Sequence, residues 1–211
     1  VENQTACDGG PPWTCVEGEC TCQLSCDGKA CGDDGCGGDC GPCQEGWQCA
    51  EDSSCFDPSL VWADSSSGLM WQVLPTGGPM NPLPAKLHCE ALDLAGHTDW
   101  HLPTISELRS LIRVCPGTVT GGSCNVTDEC LSIVQCWDSP ECNKNCNVGG
   151  GPGPGGCYWP KEMKGDCNNY WSFSKALDHP TSNNLYWFVN FLVGRILFSD
   201  VAVEYSVRCV R

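Results

Sequence analysis

The clearest periodic pattern in the chain lies between residues 104 and 112. Apolar residues recur there at the spacing of one helix face, at Ile105, Leu108, Leu111 and Ile112. Thr104, followed three residues later by Glu107, has the sequence of a capping box, in which each side chain satisfies a backbone amide left bare at the helix start. The pattern therefore predicts an amphipathic helix that begins behind Thr104.

A second helix is predicted just before it. Pro84 suits the first turn of a helix, where its missing N–H costs no hydrogen bond, and Gly96 suits a helix end. Between them, Leu87, Ala91 and Leu94 are spaced as another apolar face. This is the only long segment that reads as two consecutive helices.

Short apolar runs on both sides of the helices predict strands. Residues 60–64 and 68–74 are two such runs joined through serines 65–67, which predicts a hairpin. Later runs rich in β-branched and aromatic residues predict strands at 170–174, 185–192, 195–199 and 203–211. The order of hairpin, two helices and several antiparallel strands is typical of an α+β fold.

Two regions lack these patterns and are dense in cysteine instead. Residues 1–57 hold 11 cysteines and almost no aliphatic residues, so cross-links have to hold them in place of a core. Residues 114–168 hold eight more and a Gly/Pro run that excludes helix and strand. We therefore predict a disulfide-rich module at 1–57 and an α+β domain at 58–211, whose insertion at 114–168 is stapled by four local bridges.

The cysteine content indicates the class of protein. Of 211 residues, 21 are cysteine, as in secreted proteins held by disulfides. A zinc protein is the competing interpretation, but the four histidines lie apart from the densest cysteine cluster. The sequence opens at Val1 without an initiator Met or a hydrophobic leader, as expected of a mature secreted protein whose signal peptide has been removed. No run approaches the roughly 18 apolar residues of a membrane span.

Charge narrows the range of partners. The formal net charge of −15 argues against nucleic acid and other polyanions. Residues 1–57 carry 12 acidic residues against one basic residue, whereas residues 58–211 carry 14 against ten. The acidity therefore belongs mainly to the N-terminal module.

Two motifs in that module have possible chemical roles. Cys40-Gly-Pro-Cys43 has the spacing of a thioredoxin-like redox motif, but no buried strand precedes it as that chemistry requires. Asp33, Asp34 and Asp39 offer oxygen ligands for calcium, yet they lack EF-hand spacing, and solvated turn carboxylates are the preferred interpretation.

The residues also resemble two known families. The Cys/Gly/Asp spacing from Cys26 to Cys43 resembles a cysteine-rich repeat of secreted deltaproteobacterial proteins, which implies an extracellular spacer. From about residue 58 the chain resembles the Lcl-type C-terminal domain, named after a bacterial collagen-like adhesin. The matching motifs are Asp64 with Gly68-Leu-Met-Trp-Gln, Cys89 with Leu92-Asp-Leu-Ala-Gly, Asp99-Trp-His-Leu-Pro-Thr, Glu107-Leu, Tyr170-Trp-Ser and Val207-Arg-Cys-Val-Arg.

The second resemblance implies a C-type-lectin-like domain, similar also to formylglycine-generating enzymes, with two helices on a twisted antiparallel sheet. It further implies a disulfide between Cys89 and Cys209, which leaves an odd number of cysteines in the N-terminal module. Cys7 is the candidate for the unpaired or intermolecular thiol. The chain departs from the family at His101, where Arg is usual, and its acidity argues against the sulfated polysaccharides associated with that adhesin.

Two classes of function fit these features. The first is a non-enzymatic extracellular surface protein, either a self-assembling filament or sheath subunit or an adhesion module. Its alternative is a monomeric lectin-like module that binds carbohydrate or protein. Copies of itself, other surface proteins or glycans are the expected partners, without cofactor or metal. Aromatics beside a carboxylate suit a sugar site, and the candidates are Trp137, Asp138, Tyr158 and Trp159. The competing interpretation is that these rings pack the insertion.

The second class is an oxidase of the formylglycine-generating type. Those enzymes need reactive cysteines near the end of the domain, whereas Cys209 has an expected structural partner. Hydrolase motifs are absent, and His97 and His101 straddle a turn that ends at Pro103. We therefore predict no catalytic residues.

Overall fold

The computed structural model describes residues 13–16, 19–22, 26–49, 53–137 and 140–211. The chain divides into two compact units. One comprises Val1–Pro58 with Leu94–His97, and the other comprises Ser59–Asp93 with Thr98–Arg211.

The first unit is built from small ladders and cross-links. Strand β1 (Trp13–Val16) pairs with β2 (Glu19–Cys22), and β3 (Gln48–Cys49) pairs with β4 (Cys55–Phe56), both antiparallel. The described disulfides of this unit are Cys26–Cys40, Cys31–Cys49 and Cys43–Cys55. Because Cys40 and Cys43 bond to different partners, the Cys-Gly-Pro-Cys sequence does not form a redox pair.

Three of the acidic side chains in this unit stabilise turns. Asp33, Asp34 and Asp39 each accept a hydrogen bond from a backbone N–H two residues ahead, at 2.7–2.9 Å. Such bonds are those of Asx turns, which stabilise a change of chain direction without any secondary structure. They account for the carboxylates without calcium.

The second unit begins with the predicted hairpin and helices. Strands β5 (Val61–Asp64) and β6 (Leu69–Gln72) pair antiparallel. Helix α2 (Ile105–Ser110) has the predicted capping box, in which Thr104 accepts from the Glu107 amide and Glu107 accepts from the Thr104 amide. All four predicted apolar residues are buried, with at most 2% exposure, but only Ile105 and Leu108 lie in the helix, since Leu111 and Ile112 follow its end. The predicted cap and start of this helix are confirmed.

The boundaries and buried face predicted for the first helix are wrong. Helix α1 spans Pro82–Glu90 rather than residues 84–96, and it buries Pro82, Ala85 and Cys89. Leu87 is 65% exposed and Ala91 is also exposed, so the predicted apolar face is not the packed one. The disulfide of Cys89 turns that side of the helix inward, whereas spacing alone favoured the leucines.

A three-stranded antiparallel sheet, in the order β7-β8-β9, backs these helices. The strands are β7 (Asn169–Lys175), β8 (Leu185–Asn190) and β9 (Arg195–Asp200). One sheet face carries fully buried side chains, including Trp187, Val189 and Ile196. The mixture of helix and sheet makes this an α+β fold, as predicted.

The C-terminal segment is not the continuous strand that its sequence predicts. It makes isolated bridges, in which Tyr205 pairs with Met80, Ser206 with Tyr170, and Val210 with both Trp71 and His101. Cys209 in this segment forms a disulfide with Cys89, which joins α1 to the end of the chain. The segment therefore ties together several elements that are far apart in sequence.

The insertion is held by cross-links and a buried cation. Its four described disulfides are local, joining Cys115–Cys146, Cys124–Cys142, Cys130–Cys136 and Cys157–Cys167. Arg109 on α2 is 3% exposed and donates from its guanidinium to the carbonyl oxygens of Thr118, Val119 and Val126. The insertion also contains a π-helical turn, Ile133–Trp137, and a one-turn helix α3, Pro140–Asn143.

Candidate ligand groove

Two of the residues predicted to bind a ligand lie in the core. Trp159 is fully buried, with its ring centroid 5.5 Å from Tyr170 and 5.2 Å from Phe191. Tyr158 is 3% exposed and donates its hydroxyl to the Asn147 carbonyl at 2.7 Å. Neither ring presents a face to solvent, so the ligand-binding prediction for Tyr158 and Trp159 is corrected in favour of a packing role.

Trp137 is only half-buried and lies at the edge of the insertion. Its indole N–H donates to the Ile196 carbonyl at 2.8 Å, and its ring meets Phe198 edge to face at 5.1 Å. These contacts fix the ring on β9 while part of it stays accessible. A ligand role for Trp137 remains a prediction, and Asp138, like Cys7, lies outside the described residues.

The structure brings together a different set of polar side chains, at one end of the sheet. Two adjacent depressions of about 270 and 240 Å³ share Pro79, Asn168 and Ser206 in their walls and form one groove. We define the amide groove by the polar and aromatic side chains of its smaller half, which are Asn168, Asn169, Asn190, Glu204, Tyr205 and Ser206. They come from the start of β7, the end of β8 and the C-terminal segment.

The orientation of two amides in the groove follows from the hydrogen bonds around Asn190. Its Oδ1 accepts from the backbone N–H groups of Leu192 and Val193 at 3.0 and 3.3 Å. Because a backbone N–H can only donate, this atom is the oxygen, and the amino group of Asn190 donates to Asn169 Oδ1 at 2.7 Å. Asn169 therefore turns its own amino group away from Asn190.

Tyr205 supplies an aromatic wall that is held in place. Its ring lies 4.6 Å from those of Trp171 and Phe188, which also contact each other at 5.8 Å, and its backbone pairs with Met80. The side chain is half-buried. Within the part of the chain that the structure describes, the Tyr205 hydroxyl, the Glu204 carboxylate and the side-chain amide of Asn168 make no hydrogen bond, although all three residues line the groove.

The comparison with protein families bears on this domain. Residues 60–211 match the Lcl C-terminal domain, which covers the hairpin, both helices, the insertion and the sheet. The chain belongs to that family. A comparison with curated proteins found no match. The resemblance of the N-terminal module to a deltaproteobacterial repeat stays a prediction, because the match begins after it.

The surface of the Lcl domain has a larger excess of acidic over basic residues than the domain as a whole. Arg109 and Arg208 are 3% and 0% exposed, which leaves eight of its ten basic residues at the surface, whereas among the acidic residues of the domain that the structure describes only Asp64 is buried. Four of the eight, Lys86, Arg113, Lys144 and Arg211, pair with carboxylates. Among the described residues, neither half of the groove has a lysine or arginine in its wall.

The family departure at His101 has a defined contact. Its Nε2 lies 3.1 Å from both carboxylate oxygens of Glu107, and this hydrogen bond raises the pKa of His101 above its ordinary value against the opposing effect of burial. Burial by itself would raise the pKa of Glu107, but hydrogen bonds from His101 and Thr104 outweigh it and lower that pKa. Each partner therefore favours the charged form of the other, and the pair reinforces the cap of α2.

Among the residues whose side chains the structure describes, one group of cysteines has the spacing of a metal site. The sulfur atoms of Cys31, Cys43 and Cys55 lie within 4.8 Å of one another, but each belongs to a disulfide and is not a thiolate ligand. Across residues 26–49, 53–137 and 140–211 no cysteine is free. In the same ranges, no helix has the length and apolar character needed to cross a bilayer.

Sequence reasoning missed the amide groove. Asn168 and Asn169 adjoin a cysteine, Asn190 ends a strand and Glu204 follows a valine, so nothing in their spacing relates them. The available signal was weak: a run of two asparagines before a strand and a single asparagine at the partner strand's end. Only the pairing of Asn169 opposite Asn190 brings these groups together.

Proposed function

We propose that the chain is a non-enzymatic adhesion protein of the bacterial cell surface. In this proposal the Lcl domain, with a C-type-lectin-like fold, recognises an extracellular ligand through the amide groove, and the N-terminal module acts as a spacer. The observation that carries it is the set of unbonded polar groups on Asn168, Glu204 and Tyr205, gathered in one groove of a disulfide-rich domain of the Lcl family.

The distribution of reactive side chains supports binding rather than catalysis. An oxidase of the formylglycine-generating type needs free thiols, and every cysteine of residues 26–49, 53–137 and 140–211 is in a disulfide. The histidines are dispersed: His88 contacts Thr76, His101 contacts Glu107, and His179 lies beside Thr181. None of these contacts pairs a nucleophile with a base inside the groove.

The test is a binding survey with the full chain. Labelled protein is passed over an array that contains neutral, acidic and sulfated glycans and purified surface proteins, beside a sample whose disulfides have been reduced. The proposal expects saturable binding of the oxidised protein to a subset of these ligands and loss of that binding on reduction. Absence of saturable binding to every ligand would sink the adhesion proposal.

The cysteine count favours a second function, covalent self-assembly into a filament or sheath. The chain has an odd number of cysteines, 21, and all those of residues 53–137 and 140–211 are bonded. An intermolecular bridge would then arise from the N-terminal module. Electrophoresis and mass measurement with and without reductant decide this, since a monomer in both conditions excludes disulfide-linked assembly.

A further inference from the structure

We propose that the amide groove binds an uncharged sugar, with the Asn169 amino group donating to the ligand and the Glu204 carboxylate accepting from it. This inference rests on the proposed function and names the ligand class of the same groove. It is argued from three properties of the groove: the fixed polarity of its amides, its charge, and its aromatic wall.

The fixed polarity favours a ligand rich in hydroxyl groups. The oxygen of Asn190 accepts from two backbone N–H groups, and its amino group donates to the oxygen of Asn169. The oxygen of Asn169 is therefore used, and its amino group is left to donate. Glu204, exposed in the same wall, can only accept when ionised. A hydroxyl group both donates and accepts, so neighbouring hydroxyls on one sugar ring can satisfy the amino group and the carboxylate together.

The charge of the groove selects against acidic and sulfated ligands. Glu204 lines one half and Asp166 lines the other, while no described lysine or arginine lines either half. A sulfate or carboxylate placed there would be repelled by these groups and would find no cation to replace its water. Two of the domain's ten basic side chains, Arg109 and Arg208, lie in its interior and are not available to such a ligand.

The aromatic wall suits the apolar face of a sugar ring. Tyr205 packs against both Trp171 and Phe188, so its ring loses little further freedom when a ligand arrives. A held aromatic ring with a free hydroxyl offers both an apolar surface and a polar edge. The halves of about 270 and 240 Å³ are each smaller than a typical drug-sized pocket of about 300 Å³ or more, so the groove fits a chain end of one or two sugar rings.

The inference is tested by a substitution that reverses the orientation of the Asn169 side-chain amide and leaves the fold in place. In Asn190→Asp, one carboxylate oxygen keeps the Leu192 and Val193 bonds, and the other faces Asn169. Asn169 must then rotate to donate inward, which exposes its oxygen to the groove in place of its amino group. Asn183→Asp introduces the same charge on an exposed loop away from the groove and is the matched control.

The measurement is NMR of the full chain labelled with nitrogen-15 and carbon-13 and titrated with maltose, lactose, cellobiose and N,N′-diacetylchitobiose at millimolar concentrations, and with heparin. We expect at least one neutral disaccharide to shift the side-chain amide signals of Asn169 and the ring signals of Tyr205. Asn190→Asp should weaken that binding about tenfold or more, because a donor becomes an acceptor, whereas Asn183→Asp leaves it unchanged.

Three outcomes would overturn the inference. One is the absence of shifts with all four neutral sugars, another is binding of heparin at the groove, and the third is an Asn190→Asp variant that folds and binds as the parent does. If the ligand survey still finds saturable binding, then adhesion stands and only the groove or its ligand class is wrong. If neither the NMR titration nor the ligand survey detects binding, then the proposed function fails as well.

Discussion

The disulfide between Cys89 and Cys209 is expected to contribute more to stability than any bridge of the insertion. It spans 120 residues, whereas Cys130–Cys136 spans six. A cross-link stabilises mainly by restricting the unfolded chain, and the effect grows with the logarithm of loop length. The comparison of Cys89→Ala/Cys209→Ala with Cys130→Ala/Cys136→Ala therefore isolates loop length.

The magnitude can be worked from the other bridges. All four bridges of the insertion lie inside the long loop, and two of them set its shortened length. Cys115–Cys146 bypasses 31 residues, which include the other two bridges, and Cys157–Cys167 bypasses ten. Subtracting these spans from 120 leaves about 80 residues, for which the expected stabilisation is about 4.5 kcal/mol, against about 2 kcal/mol for a six-residue loop. Because whole domains are stable by about 5–15 kcal/mol, the first loss would approach global unfolding.

The assay is urea unfolding of both double variants and the parent, followed by tryptophan fluorescence. We expect the long-loop variant to lose at least about 2 kcal/mol more, with a steeper denaturant dependence because its unfolded chain exposes more surface. Equal losses for the two variants would refute the reasoning from loop length. A larger loss with an unchanged slope would instead indicate the cavity left by the buried sulfurs, since Cys89 and Cys209 are both fully buried.

Three further outcomes are expected. The His101–Glu107 pair should contribute its full stabilisation between pH 4.5, the ordinary pKa of a glutamate, and pH 6.5, that of a histidine. This contribution is lost as the pH rises through the raised pKa of His101, and also as the pH falls through the lowered pKa of Glu107. His101→Gln should therefore flatten the melting temperature between pH 5.5 and 9, and a parallel curve would contradict this. Arg208→Met should cost about 3–5 kcal/mol in urea unfolding, because three carbonyl oxygens lose their buried donor, and a loss below about 1 kcal/mol would argue against that account. Gly156→Ala should cost more than Gly149→Ala, since both have positive φ but only at Gly156 does an added methyl group meet backbone; calorimetry would expose the opposite order.

The last four residues account for much of the domain's cohesion. Arg208 donates to the Gln72, Val73 and Lys164 carbonyls and lies 4.8 Å from the centre of the Trp159 ring. Cys209 carries the disulfide to α1, and Val210 bridges two elements. Arg211 donates to Asp99 at 2.7 Å. This segment has the sequence of an ordinary strand, but it joins several parts of the domain, because each successive residue contacts a different one.

Local chemistry decided the parts of the fold that the sequence predicts well. The cap of α2 needs only Thr104 and Glu107 three residues apart, and its buried face needs only helical spacing, so both are visible in the sequence. The hairpin of β5 and β6 is likewise set by two apolar runs and a short turn. These features are determined within a few residues, where propensity and hydrogen bonding act directly.

Features that depend on contacts between distant segments were decided by the tertiary structure. Spacing could not tell which side of α1 would be buried, because its leucines and its cysteine both form plausible faces, and the bridge to Cys209 selects the second. Likewise, the position of Trp159 in a glycine-rich loop predicts a ring available to a ligand, whereas in the folded domain the sheet covers it. The amide groove exists because the pairing of β7 with β8 sets Asn169 opposite Asn190, and that pairing is fixed by burial of the whole sheet face rather than by either asparagine.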